Sequence, residues 1–130
     1  MKITITLSDK QANVLVGALD LYSRILIGQL ENVEEVLRFS YHDLSLDKLT
    51  QVKGLFDAAK SLLFGFGGGA SYGIHNHKVP DAARQAFDLL QGIRNTVARA
   101  KKPEGGFQVC YDTPRQTSLE EKLPEVVVEL

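Results

Sequence analysis

Apolar residues recur at three- and four-residue steps along three separate stretches of this chain, and that period restricts each stretch to a helix with one buried face. The first stripe runs Ala12, Leu15, Leu19, Tyr22, Leu26, Leu30, Val33 and Leu37, which predicts one long helix over residues 9–39. Ser8-Asp9-Lys10-Gln11 in front of it has the form of a capping box: the Ser8 hydroxyl accepts from the third helical amide while Gln11 reaches back to the cap. Gly17 and Gly28 fall inside this helix, where each costs about 1 kcal/mol relative to Ala and suits a close-packed helix partner. A second helix starts near Ser45, carries Leu46, Leu49, Val52, Leu55, Phe56, Ala59, Leu62 and Leu63, and ends at Gly65. The third opens with Pro80 in its first turn and Asp81 near the positive end of the dipole. Its inner face holds Ala83, Ala86, Phe87, Leu90, Ile93, Arg94 and Val97, and Lys101-Lys102-Pro103 closes it.

Period-2 patterns flank the helices. Ile3, Ile5 and Leu7 alternate with Thr4 and Thr6, which predicts a strand over residues 3–7. After the turn signal Pro103-Glu104-Gly105-Gly106, Phe107, Val109 and Tyr111 alternate with Gln108 and Cys110, and the β-branched run over 125–130 suggests a third strand. Strand, three helices, strand, strand is an α+β fold with a small antiparallel sheet. Such a sheet has open edges and one uncovered face, both remedied by self-association. A length of 130 residues predicts a single domain over 1–130.

Charge and cysteine usage narrow the partners. With 15 basic against 16 acidic residues the net charge is −1, which argues against general duplex-DNA binding, an affinity built from many phosphate contacts. The lone Cys110 has no partner for an internal disulfide and fits a reducing cytosol. The N-terminus alternates rather than showing the continuous apolar stretch of a signal peptide. The longest uncharged run, residues 61–77, contains five glycines and several polar residues, unlike a membrane span.

Residues 65–78 have neither period, and a loop of fourteen residues is longer than most connections in compact domains and commonly functional or disordered. Gly65-Phe66-Gly67-Gly68-Gly69-Ala70 matches the letters of a dinucleotide fingerprint, but it follows a helix and lacks the ribose-binding acid. The glycines either let backbone amides approach a ligand, with Phe66 and Tyr72 on an adaptable segment, or form a plain connector. His75 and His77 form an H-x-H that needs further ligands to hold a metal; His42, Asp43, Asp81 and Asp112 are unsupported by spacing, and polar loop histidines are the plainer reading. Cys110 has no obvious base beside it and no Ser lies in a G-x-S-x-G elbow, so nothing argues for catalysis. Arg24 and Arg94 stand on helical faces, where a guanidinium fork matches a phosphate and loop aromatics stack on bases. The alternatives are a solvated surface position for Arg24 and a structural salt bridge for Arg94.

The residues also carry a resemblance. Residues 3–7 lead into Ala18-Leu19-Asp20-Leu21-Tyr22-Ser23-Arg24-Ile25 and Gly28-Gln29-Leu30. Farther on come Ser71-Tyr72-Gly73-Ile74, Val79-Pro80-Asp81-Ala82-Ala83-Arg84, Phe87-Asp88-Leu89-Leu90-Gln91 and Ile93-Arg94. Together, over most of the chain, they resemble the small phage-encoded Thoeris anti-defence proteins of the first described type. The resemblance implies a nucleotide sponge of the host cytoplasm, neither enzyme nor cofactor-dependent, that binds gcADPR, the alarm signal of bacterial TIR-domain enzymes, without cleaving it. It implies a homo-oligomer, a hexamer, and in some relatives a separate site for cyclic trinucleotides. Carried over by position, Phe66 is similar to the aromatic against the base, Asn76 to the loop amide, and Arg94 to the arginine near the pyrophosphate. Tyr72 is the alternative to Phe66 and Arg115 the alternative to Arg94, while Arg24 is similar to the arginine of the trinucleotide site. Two other classes compete: a phage protein whose loop contacts a host polypeptide, and a hydrolase using His75, His77 and an acid.

Overall fold

The computed structural model describes residues 1–104 and 113–129. Among them are four helices, α1 Asp9–Leu26, α2 Asn32–Ser40, α3 Leu46–Phe64 and α4 Asp81–Lys101, and no strand. None of these helices is long and apolar enough to cross a membrane.

The helix starts follow the local chemistry. Ser8 Oγ accepts from the Gln11 amide at 3.2 Å and Gln11 Oε1 from the Ser8 amide at 2.9 Å, completing the capping box of α1. Ser45 caps α3 through the Lys48 amide, and Gly65 ends that helix. Pro80 is the cap residue of α4, with Asp81 at its first helical position.

The helix expected over residues 9–39 is two helices. Gly28 has φ +91°, the Gln29 amide donates to the Arg24 carbonyl at 2.8 Å, and the Gly28 amide donates to Ile25 at 3.0 Å. These paired bonds are a Schellman motif with glycine at its left-handed position, a stop signal rather than a weak point within a helix. The apolar period continues past the stop because α2 takes up the same spacing with Val33 and Leu37, so periodicity alone does not reveal the break.

The α+β expectation is overturned. Residues 3–7 and 125–129 belong to no strand; Ile3, Ile5 and Val127 are about seven-tenths exposed. A helix satisfies its backbone internally, whereas a strand needs a neighbour to supply its hydrogen bonds. The two segments approach one another through Lys2 and Glu125, 3.9 Å apart, without forming a ladder. The strand expected over 107–111 lies outside the described residues.

The centre of the fold is α4, buried on two stripes. Ala83, Ala86 and Leu90 occupy one, on the side of α1, the only helix that α4 touches. Lys101 Nζ meets both Asp9 carboxylate oxygens at 2.9 and 3.0 Å, so the end of α4 lies beside the start of α1 and the two run antiparallel. Arg84, Asp88, Gly92 and Asn95 form the other stripe, on which the C-terminal segment meets Asp88 and Gly92. A Cβ on Gly92 would stand 3.0 Å from Pro124 Cγ, so the segment seats against bare backbone there. By contrast α3 touches α2 alone among the helices.

Candidate functional site

The loop after α3 is built on a buried cation. Lys60 Nζ is wholly buried and reaches both Glu31 oxygens at 3.1 Å and the Gly68 carbonyl at 2.8 Å. Above it, 5.8 Å from the ammonium, lies the ring of Phe66. Phe66 stacks on Phe64 with centroids 5.7 Å apart and meets the edge of Tyr72 at 5.0 Å. The Tyr72 amide donates to the Ile27 carbonyl at 2.9 Å, and Gln29 Nε2 donates to Ser71 Oγ at 3.1 Å, tying the loop to the turn after α1. The two aromatics expected as alternatives therefore share one cluster, and neither lines either of the two cavities described below.

A second device holds residues 74–79. The buried Arg84 guanidinium donates to the carbonyls of Ile74 at 2.9 Å, Asn76 at 2.9 Å and Val79 at 3.1 Å. Asn76 Oδ1 accepts from the Lys78 amide at 2.9 Å, closing a tight turn. The amide expected to meet a ligand thus uses its oxygen within its own loop.

The C-terminal segment is clasped by two carboxylates one above the other on α4. Asp88 accepts from the Thr117 amide, the Thr117 hydroxyl at 2.7 Å and the Ser118 amide at 3.0 Å. Asp81 accepts from the Leu119 amide at 2.7 Å and Ser118 Oγ at 2.6 Å. Those two bonds, chiefly that from Leu119, lower the Asp81 pKa to about 2 from its ordinary 3.8, against the opposing effect of burial.

Between the clamped loop, α4 and the clasped segment opens a cavity of about 730 Å³. Ile74 and His75 contribute from the loop, Phe87, Gln91 and Arg99 from α4, and Thr113, Arg115 and Thr117 from the C-terminal segment. Among the described residues its wall holds two guanidiniums and an imidazole and no carboxylate. Gln91 Nε2 is buried there without a hydrogen-bond partner. Buried polar atoms are nearly always paired, and an orphaned amide donor marks a place where a ligand or water oxygen fits. Arg99 is oriented by Asn95 Oδ1 at 3.2 Å and Thr113 Oγ1 at 3.5 Å.

Of the residues expected at a ligand site, Arg115 lines this cavity, whereas Phe66, Tyr72, Asn76 and Arg94 do not. Arg94 is half-buried on α4 and forms no ion pair with the described residues. Arg24 lines a separate cavity of about 480 Å³ between α1 and α2, held by Asp20 at 2.8 Å and Gln29 at 2.8 Å, with Glu35 also in the wall. Gln91 and Arg99 were not singled out by sequence: each reads as an ordinary helical polar residue, and only the packing of α4 turns them to one space. No group of three or more His, Cys, Asp or Glu among the described residues is arranged to hold a metal.

Fold and cavity together define a helical protein with a recess of small-molecule size beside its central helix, its described wall carrying two arginines and a histidine. Compared with protein-family models, curated proteins and solved structures, the chain matches none.

Proposed function

We propose that this protein sequesters a small phosphate-bearing nucleotide without transforming it, that the ligand is gcADPR, and that the response it blocks is Thoeris immunity in the host cytoplasm. The observation that carries the reading is the cavity beside α4, whose described lining brings Arg99, Arg115 and His75 together with an unpartnered Gln91 amide. About 730 Å³ falls within the roughly 300–1,000 Å³ usual for small-molecule sites. A guanidinium fork binds a phosphate bidentately, and each charge-assisted bond contributes about 1.5–3 kcal/mol. In this reading Arg115 takes the role at the pyrophosphate, with Arg99 and Gln91 beside it, and Phe87 is the ring in the wall. Phe66, Tyr72, Asn76 and Arg94 are then supports or second contacts, not the wall itself. Arg24 supports a second, trinucleotide site less well, because Asp20 and Glu35 share its cavity. A homo-oligomer, with a hexamer as the expected number, completes the reading.

The test is retention. Purified protein is incubated with gcADPR, filtered and denatured, and the released nucleotide is analysed. Intact gcADPR in stoichiometric amount is expected; altered nucleotide, or none retained, overturns the proposal. Calorimetry then locates the site: Arg115→Glu and Gln91→Leu should each weaken binding at least about tenfold. Unchanged affinity in both would remove this cavity as the site.

A further inference from the structure

We propose that Asp88 is a positioning residue of the recess beside α4: without lining it, this carboxylate pins the C-terminal backbone at Thr117 and Ser118 so that the guanidinium of Arg115 is presented to the ligand. The inference rests on the reading above that Arg115 meets the phosphates, and adds how the chain holds it there. Arg115 is exposed, lines the cavity, and its guanidinium makes no hydrogen bond or ion pair with the described residues. Its placement therefore comes from its backbone. Residues 113–118 belong to no helix and no strand, so no run of backbone hydrogen bonds fixes that backbone either.

What fixes it is α4. Asp88 accepts from the Thr117 amide at both oxygens, 2.9 and 3.0 Å, from the Thr117 hydroxyl at 2.7 Å and from the Ser118 amide at 3.0 Å. Bonds to an ionised acceptor are shorter and stronger than those between neutral groups, so this is a firm hold. Gln116 Nε2 donates to the Ser118 carbonyl at 3.1 Å, and the Glu120 and Glu121 amides donate to Ser118 Oγ at 3.2 and 2.9 Å. Residues 116–121 are thus one knot seated on α4. Two residues of extended chain span at most about 7 Å, which confines the Arg115 backbone to that radius around the pinned Thr117. Upstream, Thr113 Oγ1 lies 3.5 Å from Arg99, the outer limit of a hydrogen bond, and both residues are exposed. Thr117 is at once the clasped residue and part of the cavity wall, so the hold on the chain and the shape of the recess meet in one side chain.

A double-mutant cycle read by calorimetry, with gcADPR as the probe, tests this. Asp88→Asn keeps the shape of the side chain while removing its charge, and circular dichroism checks that the helices remain. In the parent it should weaken binding about three- to tenfold. In an Arg115→Ala background the same change should cost less than about twofold, because the arm that Asp88 holds is gone. In a Gln91→Leu background the full loss should persist. Equal losses in all three backgrounds would make Asp88 a general support and overturn the assignment. A ligand-free arm separates this from the reading of the site. In a Cys110→Ser background, spin labels at Arg115→Cys and at Val14→Cys, an exposed position of α1, should give a single narrow distance by double electron–electron resonance. Adding Asp88→Asn should broaden it. A distance already broad with Asp88 in place, or a width that Asp88→Asn leaves unchanged, overturns the positioning whatever gcADPR does. If the parent retains no gcADPR, the reading of the site falls, and this width alone decides whether Asp88 positions residue 115.

Discussion

The ring of Phe66 lies 2.9 Å from the point where a Cβ on Gly28 would stand, so the end of α1 and the aromatic of the glycine-rich loop occupy one another's space. This contact needs glycine twice, for the left-handed φ of +91° and for the ring. Gly28→Ala should therefore destabilise the fold by about 1–3 kcal/mol, measured by chemical denaturation. A loss below 0.5 kcal/mol would mean that ring and turn are not seated together.

Asp88 fastens the C-terminal segment from a position that is 2% exposed. Asp88→Ala leaves the Thr117 and Ser118 donors buried without an acceptor and should cost about 2–4 kcal/mol, with Asp88→Asn costing less. Limited proteolysis should find residues 113–129 cut faster in the Ala variant than in the parent. Equal cutting would show that the segment is held by other contacts.

Acid should act through Asp81. Its folded pKa, about 2, lies below the ordinary 3.8, so its stabilising contribution is complete above about pH 3.8 and is lost as pH falls toward 2. The stability difference between the parent and Asp81→Asn should accordingly shrink between pH 4 and pH 2. A difference that stays constant over that window would contradict the Leu119 and Ser118 bonds.

Lys60 and Glu31 make the one fully buried ammonium among the described residues dependent on a single counter-ion. Lys60→Ala should lower stability by about 3 kcal/mol, the low end for breaking a buried pair, because Glu31 is 19% exposed and regains some solvent. Lys60→Met with Glu31→Leu should recover most of that loss. If the double variant is no better than Lys60→Ala, the bond to Gly68 rather than the ion pair is what matters at this position.

Signals confined to a few neighbouring residues were legible. Ser8 with Gln11, Ser45, Gly65 and Pro80 set helix ends where they are found, because a cap is satisfied by amides within one turn. Gly28 was visible but ambiguous: the same glycine reads as a weak helical residue or a stop, and Phe66, 38 positions on, accompanies the second. The alternation over 3–7 was equally visible and misled, since no neighbouring strand meets it. Arg115 entered through resemblance alone; Gln91 and Arg99 gained meaning only where α4 faces residues 113–117.

From its residues alone the chain determined where most helices start and stop, its near-neutral charge, and the glycine-rich connector, all of which depend on short-range backbone and side-chain chemistry. Tertiary structure decided the rest: that the long first stripe is two helices, that the terminal segments stay extended without a sheet, and that guanidiniums from α4 and the C-terminal segment share one recess. Each of those depends on which distant groups meet, and no local period encodes such meetings.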